Sequence, residues 1–329
     1  MFRKRTSNRY YTGPISDHFN GRHFSNPLPT PGKGLRAVMR WRFTSKSARW
    51  PDAVPITPVC PQPASEATRV TIVGHATVLI QTGGLNIVTD PVWSQRASPV
   101  HYAGPRRVCP PGVAFDDLPC IDVILLSHNH YDHLDKVTIT RLVERDNPRI
   151  ITPLGNDYIV QDAAPWARVE AGDWWDDFTL APGIEASIVP AQHWSSRGLS
   201  DARMALWGGF MLRTRDALIY FAGDTAYGDG GIFRALRQRY GSPDLALIPI
   251  GAYAPRWFMK DQHTDPDESV QILLDLDARA AIGLHWGVFQ LSDEGRDEPR
   301  DELALALAQR QILPDRFIAA EPGHVWDLA

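Results

Sequence analysis

The chain has 329 residues, a formal net charge of −4 and 43% hydrophobic residues, which is enough to bury one large core. Its three cysteines, Cys60, Cys109 and Cys120, follow no spacing pattern, which argues against a disulfide framework and favours a reducing compartment, the cytoplasm. No apolar run approaches about eighteen residues, so we expect no membrane-spanning helix. The basic start at residues 1–5 is followed by no apolar segment, so we expect no secretory signal.

The first 50 residues differ in charge from the rest of the chain. They hold eleven Lys or Arg and one acidic residue, Asp17, for a net charge of +10, so the remaining residues carry −14. Aromatic residues are interspersed among the basic ones. Such an arm can contact an anionic membrane, wrap around the acidic body of the protein, or bind nucleic acid. We rank nucleic acid lowest and expect no nucleic-acid partner.

The organisation of the chain is indicated by a Pro-rich stretch over residues 51–63, which is typical of a linker. We therefore divide the chain in two. Residues 1–65 form a basic N-terminal arm with its linker, and residues 66–329 form the main domain.

Within the main domain, apolar segments predict short strands at residues 70–73, 78–81 and 85–89. Capping patterns predict one helix over residues 136–145, with Asp135 as N-cap, and a second from Asp265 to about residue 277. Strands followed by helices, twice over, predict an α/β sandwich of two sheets with helices outside.

A cluster of histidines and aspartates is the most informative feature of the sequence. It directly follows residues 121–126, an apolar segment that predicts a buried strand. Because alternate residues of an extended chain point the same way, His128 and His130 can share one metal ion. Asp132 and His133 come as the chain turns and can reach a second ion. Imidazole with carboxylate suits Zn²⁺, Fe or Mn²⁺ better than Ca²⁺ or Mg²⁺.

Three further candidate ligands follow predicted strands in the same manner. His193 comes after the strand predicted at residues 184–190, Asp224 after that at 217–221, and His285 after that at 280–284. Taken alone, each of these residues could be an ordinary loop, turn or core residue. Four repetitions of one arrangement, a strand that ends at a potential ligand, favour a shared metal centre.

The motif His-x-His-x-Asp-His, a later His, Gly-Asp-Thr and a final His resemble the metallo-β-lactamase superfamily in kind and order. The resemblance implies a four-layer αββα metallo-β-lactamase sandwich over residues 66–329, with an N-terminal extension. It also implies two metal ions, which we take as Zn²⁺ with Fe or Mn left open. One ion would be held by His128, His130 and His193, the other by Asp132, His133 and His285, with Asp224 bridging them.

A narrower resemblance is to the family of N-acyl-phosphatidylethanolamine-hydrolysing phospholipase D and its bacterial relatives. It rests on the stretches at residues 74–77, 89–99, 104–107, 249–263, 265–266 and 285–287, with a weaker echo at 21–27. In that family the Gln-His pair, here Gln262 and His263, lies beside the substrate phosphate. The resemblance also implies a homodimer.

These patterns lead to one main hypothesis and two alternatives. The main one is a dinuclear-metal hydrolase that cleaves a phospholipid phosphodiester, with Asp132, Gln262 and His263 as catalytic residues. His263 can donate a hydrogen bond to the phosphate or protonate the leaving alkoxide. Asp90 and His75 can orient ligands or be structural residues. The alternatives are a metal-dependent acyl-bond hydrolase, as in lactonases and β-lactamases, and a non-catalytic lipid-binding relative.

Overall fold

The structure, a computed structural model, describes residues 7–30 and 33–328, so the basic start at residues 1–5 lies outside the described residues. Fourteen strands form two sheets of seven. The strands are β1 Arg69–Gly74, β2 Thr77–Thr82, β3 Leu85–Thr89, β4 Val123–Leu125, β5 Arg149–Pro153, β6 Arg168–Gly172, β7 Asp177–Ala181, β8 Ile184–Val189, β9 Gly209–Arg213, β10 Leu218–Phe221, β11 Leu245–Pro249, β12 Ala280–Leu284, β13 Phe317–Ile318 and β14 Val325–Asp327.

Among the described residues, seven α-helices accompany the sheets. They are α1 Leu35–Thr44, α2 Lys136–Asp146, α3 Asn156–Ala163, α4 Gly231–Tyr240, α5 Arg256–Met259, α6 Pro266–Leu276 and α7 Glu298–Gln309. The first sheet has the order β14-β1-β2-β3-β4-β5-β6, and the second has β13-β12-β11-β10-β9-β8-β7. Strands β3 to β6 are mutually parallel, as are β10 to β13.

The alternation of side chains along the strands produces three apolar layers. Ile87 of β3 faces the core between the two sheets, whereas its neighbour Val88 faces the outer layer that contains α2 and α3. In the second sheet, Ile219 of β10 faces the central core and Tyr220 faces the layer that contains α4, α6 and α7. Because both faces of these strands are covered, apolar residues lie on both faces of each strand. The predicted αββα sandwich is confirmed.

The two predicted helix starts are formed as the capping patterns indicate. The Asp135 carboxylate accepts a hydrogen bond from the Val137 backbone N–H, 3.1 Å away. The Asp265 carboxylate accepts one from the Glu268 N–H at 2.9 Å, with Pro266 in the first turn. Since each cap satisfies a donor that the helix itself leaves free, α2 and α6 begin where their sequences indicate.

The N-terminal arm lies on the sandwich and supplies part of its core. Phe19 and Phe24 are almost fully buried against the central layer, with ring centroids 4.6 Å apart. Helix α1 lies further along the arm and was not predicted from the sequence. It begins at Gly34 without a side-chain cap, and its Trp41 stacks on Phe258 of α5 at 4.8 Å. Contact with the main domain, more than local capping, therefore holds α1 in place. The boundary at residue 65 stays a prediction.

Candidate metal centre

The predicted ligands meet where strands of both sheets end. His128 lies beyond β4, His193 beyond β8 and Asp224 beyond β10, while His285 directly follows β12. His285 has a φ of 62°, a left-handed conformation that is uncommon for residues other than glycine. Its chain therefore turns abruptly at the ligand position, and the strand ends hold the side chains rigidly.

One group of four side chains directs its ligand atoms at a common point. His128 Nε2 lies 3.0 Å from His130 Nδ1, and His193 Nε2 lies 3.3 Å from the same atom. Asp224 Oδ2 is 3.9 Å from His128 Nε2 and 3.6 Å from His193 Nε2. Ligands placed tetrahedrally at about 2.0–2.1 Å from a zinc ion are about 3.3 Å apart, so this spacing fits a metal ion.

A second group surrounds the other side of Asp224. Asp132 Oδ2 is 3.4 Å from His133 Nε2 and 3.2 Å from His285 Nε2. His285 Nε2 is also 3.2 Å from Asp224 Oδ1. Asp224 Oδ2, which faces the first group, also lies 3.3 Å from His133 Nε2 of the second, so the Asp224 carboxylate contacts both groups, as a bridging ligand would.

Hydrogen bonds fix the protonated nitrogen of three of these imidazoles. His133 Nδ1 lies 2.7 Å from Asp90 Oδ2, and His193 Nδ1 lies 2.8 Å from the Gln262 carbonyl oxygen. Both oxygens can only accept, so Nδ1 carries the proton and Nε2 keeps its lone pair. Ser127 donates to the same Asp90 carboxylate and must accept from His128 Nδ1, 2.9 Å away, which frees His128 Nε2 likewise.

Several buried polar atoms at the centre have no hydrogen-bond partner among the described residues. Two of them, His133 Nε2 and Asp224 Oδ1, face the ligand groups described above. His263 Nδ1, His130 Nε2 and His285 Nδ1 also have no partner, but His130 and His285 present their other ring nitrogen to the groups. Buried groups without partners are costly unless something else binds them. The side chains present therefore fit a bound cation.

The electrostatics of the centre favour positive charge between the two carboxylates. Burial lowers the pKa of His130 to about 3, and the pKa of His128 also falls well below its usual value through burial and its neighbours His133 and His130. Burial opposes protonation of His285 too, but the carboxylates of Asp224 and Asp132 outweigh it and raise its pKa to about 9. A metal ion would supply that positive charge and leave the imidazoles neutral.

Gln262 and His263 lie beside the cluster, on the segment between α5 and α6. His263 Nδ1 is 3.9 Å from Asp224 Oδ2, and its ring centroid is 5.1 Å from that of His193. Burial is the largest influence on His263 and holds its pKa well below the usual value, so the imidazole is neutral at neutral pH. The Gln262 carbonyl holds His193, whereas its side-chain amide lines the adjoining cavity.

A cavity of about 850 Å³ opens above the cluster. Its polar floor is formed by His130, Asp132, His193, Asp224, Gln262 and His263. Its apolar walls come from distant parts of the chain, namely Val38, Trp41, Ala97, Phe258, Met259 and Leu291. Trp194 also lines it and packs edge-on against His130, at 4.8 Å between centroids. A partly apolar molecule can therefore reach the predicted ligands.

Comparison with known proteins agrees with this geometry. Residues 85–286 match a family model described as a beta-lactamase superfamily domain. The chain belongs to the metallo-β-lactamase superfamily. The predicted membership is thus confirmed, and with it the general activity of a metal-dependent hydrolase.

Two curated relatives support the narrower resemblance. The chain is 40% identical over 270 residues to N-acyl-phosphatidylethanolamine-hydrolyzing phospholipase D 1 of Caenorhabditis elegans, covering 78% of this chain and 75% of the relative. It is 36% identical over 247 residues to the mitochondrial N-acyl-phosphatidylethanolamine-hydrolyzing phospholipase D of Saccharomyces cerevisiae, covering 73% of this chain and 52% of the relative.

A solved structure supports the fold independently. A metallo hydrolase from the archaeon Ignicoccus hospitalis superposes with a TM-score of 0.58 at 17% identity, covering 80% of this chain and 99% of that one. At this identity the likeness concerns the metallo-β-lactamase fold alone.

The structure brings all nine predicted site residues of this superfamily member into one region. It adds two kinds of residue that the sequence did not single out. Arg197 donates from Nη1 to the carbonyl oxygens of Asn129 and Leu134, both at 2.8 Å, and so braces the loop that carries the first ligands. Lys33 and Trp41 of the arm line the cavity. The weaker family resemblance at residues 21–27 was the sequence feature that could have indicated that the arm contributes to the site.

His75 and Asp90 contact two of the predicted ligands. His75 Nε2 lies 2.9 Å from Asp132 Oδ2, within the same group of possible metal-holding side chains as His133 and His285. Asp90 Oδ2 lies 2.7 Å from His133 Nδ1. The roles of all these residues in metal binding and catalysis stay predictions.

Proposed function

We propose that this metallo-β-lactamase superfamily member is a phospholipase D-type phosphodiesterase acting on an N-acyl-phosphatidylethanolamine or a similar phospholipid. Water would add to phosphorus, the bond from phosphorus to the ethanolamine oxygen would break, and the products would be phosphatidic acid and an N-acylethanolamine. The observation that carries the proposal is the cavity, in which His263 and Gln262 adjoin the cluster of predicted ligands beside apolar walls.

Two Zn²⁺ ions fit the proposed site, and Fe or Mn would accept the same ligands. One would be held by His128, His130, His193 and Asp224. The other would be held by Asp132, His133 and His285, and Asp224 would be shared, since it lies 3.3 Å from His133 Nε2 and 3.2 Å from His285 Nε2. Such ions lower the pKa of bound water from about 15.7 towards 7 and offset the charge that develops on the phosphate oxygens. The protein contributes the fixed positions, through Asp90 behind His133 and His75 behind Asp132.

His263 and Gln262 are proposed to bind the phosphate. A neutral imidazole donates one N–H and a primary amide donates two, which suits the unesterified phosphate oxygens. Because the pKa of His263 is lowered, we favour hydrogen bonding over delivery of a proton at neutral pH. Hydrogen bonds from these donors become stronger as negative charge develops on the oxygens. They therefore stabilise the transition state and accelerate the reaction.

The apolar walls are proposed to receive the acyl chains. Trp41 and Phe258 stack across the gap between the arm and α5, and Met259 and Leu291 extend the apolar surface. Phe258 and Met259 line the cavity, whereas Trp257 stacks under Arg40 at 4.5 Å.

Helix α1 is proposed to contact an anionic membrane at the cavity entrance. Its Met39 and Phe43 are 45% and 79% exposed, and Arg36 and Arg42 are exposed beside them. An apolar residue pair flanked by basic side chains suits the boundary between headgroups and acyl chains. The described helices include none long and apolar enough to cross a bilayer, so we propose peripheral contact. The cytoplasmic location and the homodimer stay predictions.

The test is an assay of metal-loaded protein on N-acyl-phosphatidylethanolamine in mixed micelles. We expect release of N-acylethanolamine, with loss of turnover in a His130→Ala control. A parallel panel would contain a lactone, a thioester and nitrocefin. Turnover on that panel with none on the phosphodiester would establish the acyl-bond hydrolase instead. Lipid binding with neither metal nor turnover would establish the non-catalytic relative.

A further inference from the structure

The turn that carries His193 is held between two parts of the chain. On one side, Gln192 N donates to Thr225 Oγ1 at 3.0 Å, and Ala226 N donates to the Gln192 carbonyl at 2.8 Å. Thr225 is the neighbour of Asp224, so these bonds link the segments of two proposed ligands. The other side of the turn faces the N-terminal arm.

Asn26 of the arm makes the contact nearest to the ligand. Its Oδ1 accepts from the His193 backbone N–H at 3.0 Å and from Trp207 Nε1 at 3.0 Å. Its Nδ2 donates to Thr30 Oγ1 at 2.8 Å, which sets the orientation of the amide. Trp207 is 1% exposed, so this anchor is part of the rigid core.

Gln192 makes a second contact with the arm through its side chain. Its Oε1 accepts from Leu28 N at 3.3 Å, and its Nε2 donates to Leu28 O at 2.8 Å. The Gln192 side chain thus pairs with the arm backbone as a neighbouring strand would. With Asn26 it fixes both the chain position and the direction of the His193 turn.

We propose that Asn26 is a positioning residue for His193, so that the N-terminal arm forms part of the metal centre. Asn26, 167 positions away on the chain, sets the backbone of His193, while the Gln262 carbonyl sets its ring. Without the Asn26 oxygen, the His193 N–H loses its acceptor and the turn must shift to find another. The inference rests on the proposed role of His193 as a ligand.

Metal affinity of the full chain is the readout, measured by zinc competition against a chromophoric chelator. Replacing a residue that orients a ligand typically costs about 10–100-fold in metal affinity, and we expect this from Asn26→Ala. Asn26→Asp keeps an acceptor at the same place and should restore most of the affinity. The visible spectrum of the cobalt-substituted protein should change in Asn26→Ala and return in Asn26→Asp.

Asn8→Ala is the matched control, because Asn8 also anchors the arm through buried hydrogen bonds. Its Nδ2 donates to Arg22 O and Met204 O, both at 2.8 Å, and it contacts no proposed ligand. We expect it to lower the melting temperature of the metal-free protein and leave zinc affinity unchanged. Equal losses of zinc affinity in Asn8→Ala and Asn26→Ala, or none in Asn26→Ala, would overturn the proposal.

His193→Ala separates this inference from the assignment on which it rests. We expect it to lower zinc affinity at least as much as Asn26→Ala. If His193→Ala binds zinc as the unchanged protein does, the ligand assignment itself is wrong. If only His193→Ala loses affinity, His193 is a ligand and Asn26 does not position it.

Discussion

The ligand-bearing strand ends and the N-terminal arm lie on the same cavity but are held by different forces. His128, Asp224 and His285 are at most 3% exposed, and each follows a strand whose hydrogen bonds fix its direction. The arm has one helix among its described residues and is held by side-chain contacts, such as Phe19 in the core and the ion pair of Lys33 with Asp261, 2.7 Å apart.

This difference indicates which region governs the metal chemistry and which governs access of the substrate. Metal chemistry requires ligand positions accurate to a fraction of an ångström, and strand ends provide them. Access for a lipid requires apolar walls with basic charge near the entrance, which an arm packed on the surface provides. Variants of the strand ends should therefore abolish chemistry. Variants of the arm should change lipid binding and stability, except at Asn26, which we propose positions His193.

Asp224→Ala should have the largest effect, because both ligand groups use this carboxylate. We expect loss of bound metal and a fall in turnover of about 10³-fold or more. Elemental analysis of the purified variant gives the metal content. Asp216→Ala is the matched control, since this carboxylate binds Thr68 and Thr214 far from the cluster and should retain metal. A fully active Asp224→Ala protein would contradict the bridging role.

His263→Ala should separate substrate contact from metal binding. Removing one donor to developing negative charge costs about 10²–10³-fold in kcat, and we expect a loss in this range with metal content unchanged. Steady-state kinetics and elemental analysis together make the measurement. If the variant loses metal, His263 is a ligand, in keeping with its proximity to Asp224 and His285.

The arm side of the comparison is tested by replacing three exposed basic residues with Gln, namely Arg36 and Arg42 of α1 and Lys46 just after it. Each basic residue near an anionic surface contributes about 1 kcal/mol, so vesicle affinity should fall about 10²-fold at low salt. Co-sedimentation with vesicles that contain anionic lipid measures it. Turnover of a water-soluble phosphodiester should be unaffected. Unchanged vesicle binding would show that α1 does not face the membrane.

His18→Gln should give the smallest effect, and one that depends on pH. The imidazole contacts Asp17 at 2.6 Å and Asp173 at 2.7 Å, and it stacks on Trp174 at 4.4 Å. Burial would lower its pKa, but Asp173 and Asp17 outweigh burial and raise it. The charged imidazole therefore stabilises the fold below its ordinary pKa of 6.5, and this contribution is lost as pH rises through the raised value.

We expect the stability loss in His18→Gln to be larger at about pH 5.5 than at about pH 9, by about 0.5–1 kcal/mol. Urea unfolding at both pH values measures the difference. The loss of stacking on Trp174 lowers stability equally at the two pH values, so it does not contribute to the difference. A loss that grows with pH would mean that His18 is neutral in the folded protein.

The parts of this molecule that the sequence predicted are those with local signals. The strand before His285 and the caps at Asp135 and Asp265 depend on neighbouring residues, and all three are formed. Helix α4 starts at Gly230 without a side-chain cap and was not predicted.

Long-range contacts explain what else could not be predicted. His75 reaches Asp132 across 57 residues and Asn26 reaches His193 across 167, through the folding of the two sheets and the arm. No local pattern specifies such pairs. The four strand ends could be proposed as one site only because each ended at a metal-ligating residue type.

Hydrolysis of N-acyl-phosphatidylethanolamine in ¹⁸O-labelled water tests most directly whether this site attacks phosphorus. Mass spectrometry of the products locates the label. We predict ¹⁸O in the phosphate of phosphatidic acid and none in the N-acylethanolamine. Label in a released fatty acid would show attack on a carbonyl, and diacylglycerol as a product would show cleavage on the other side of phosphorus. Either result would contradict the proposed phospholipase D-type cleavage.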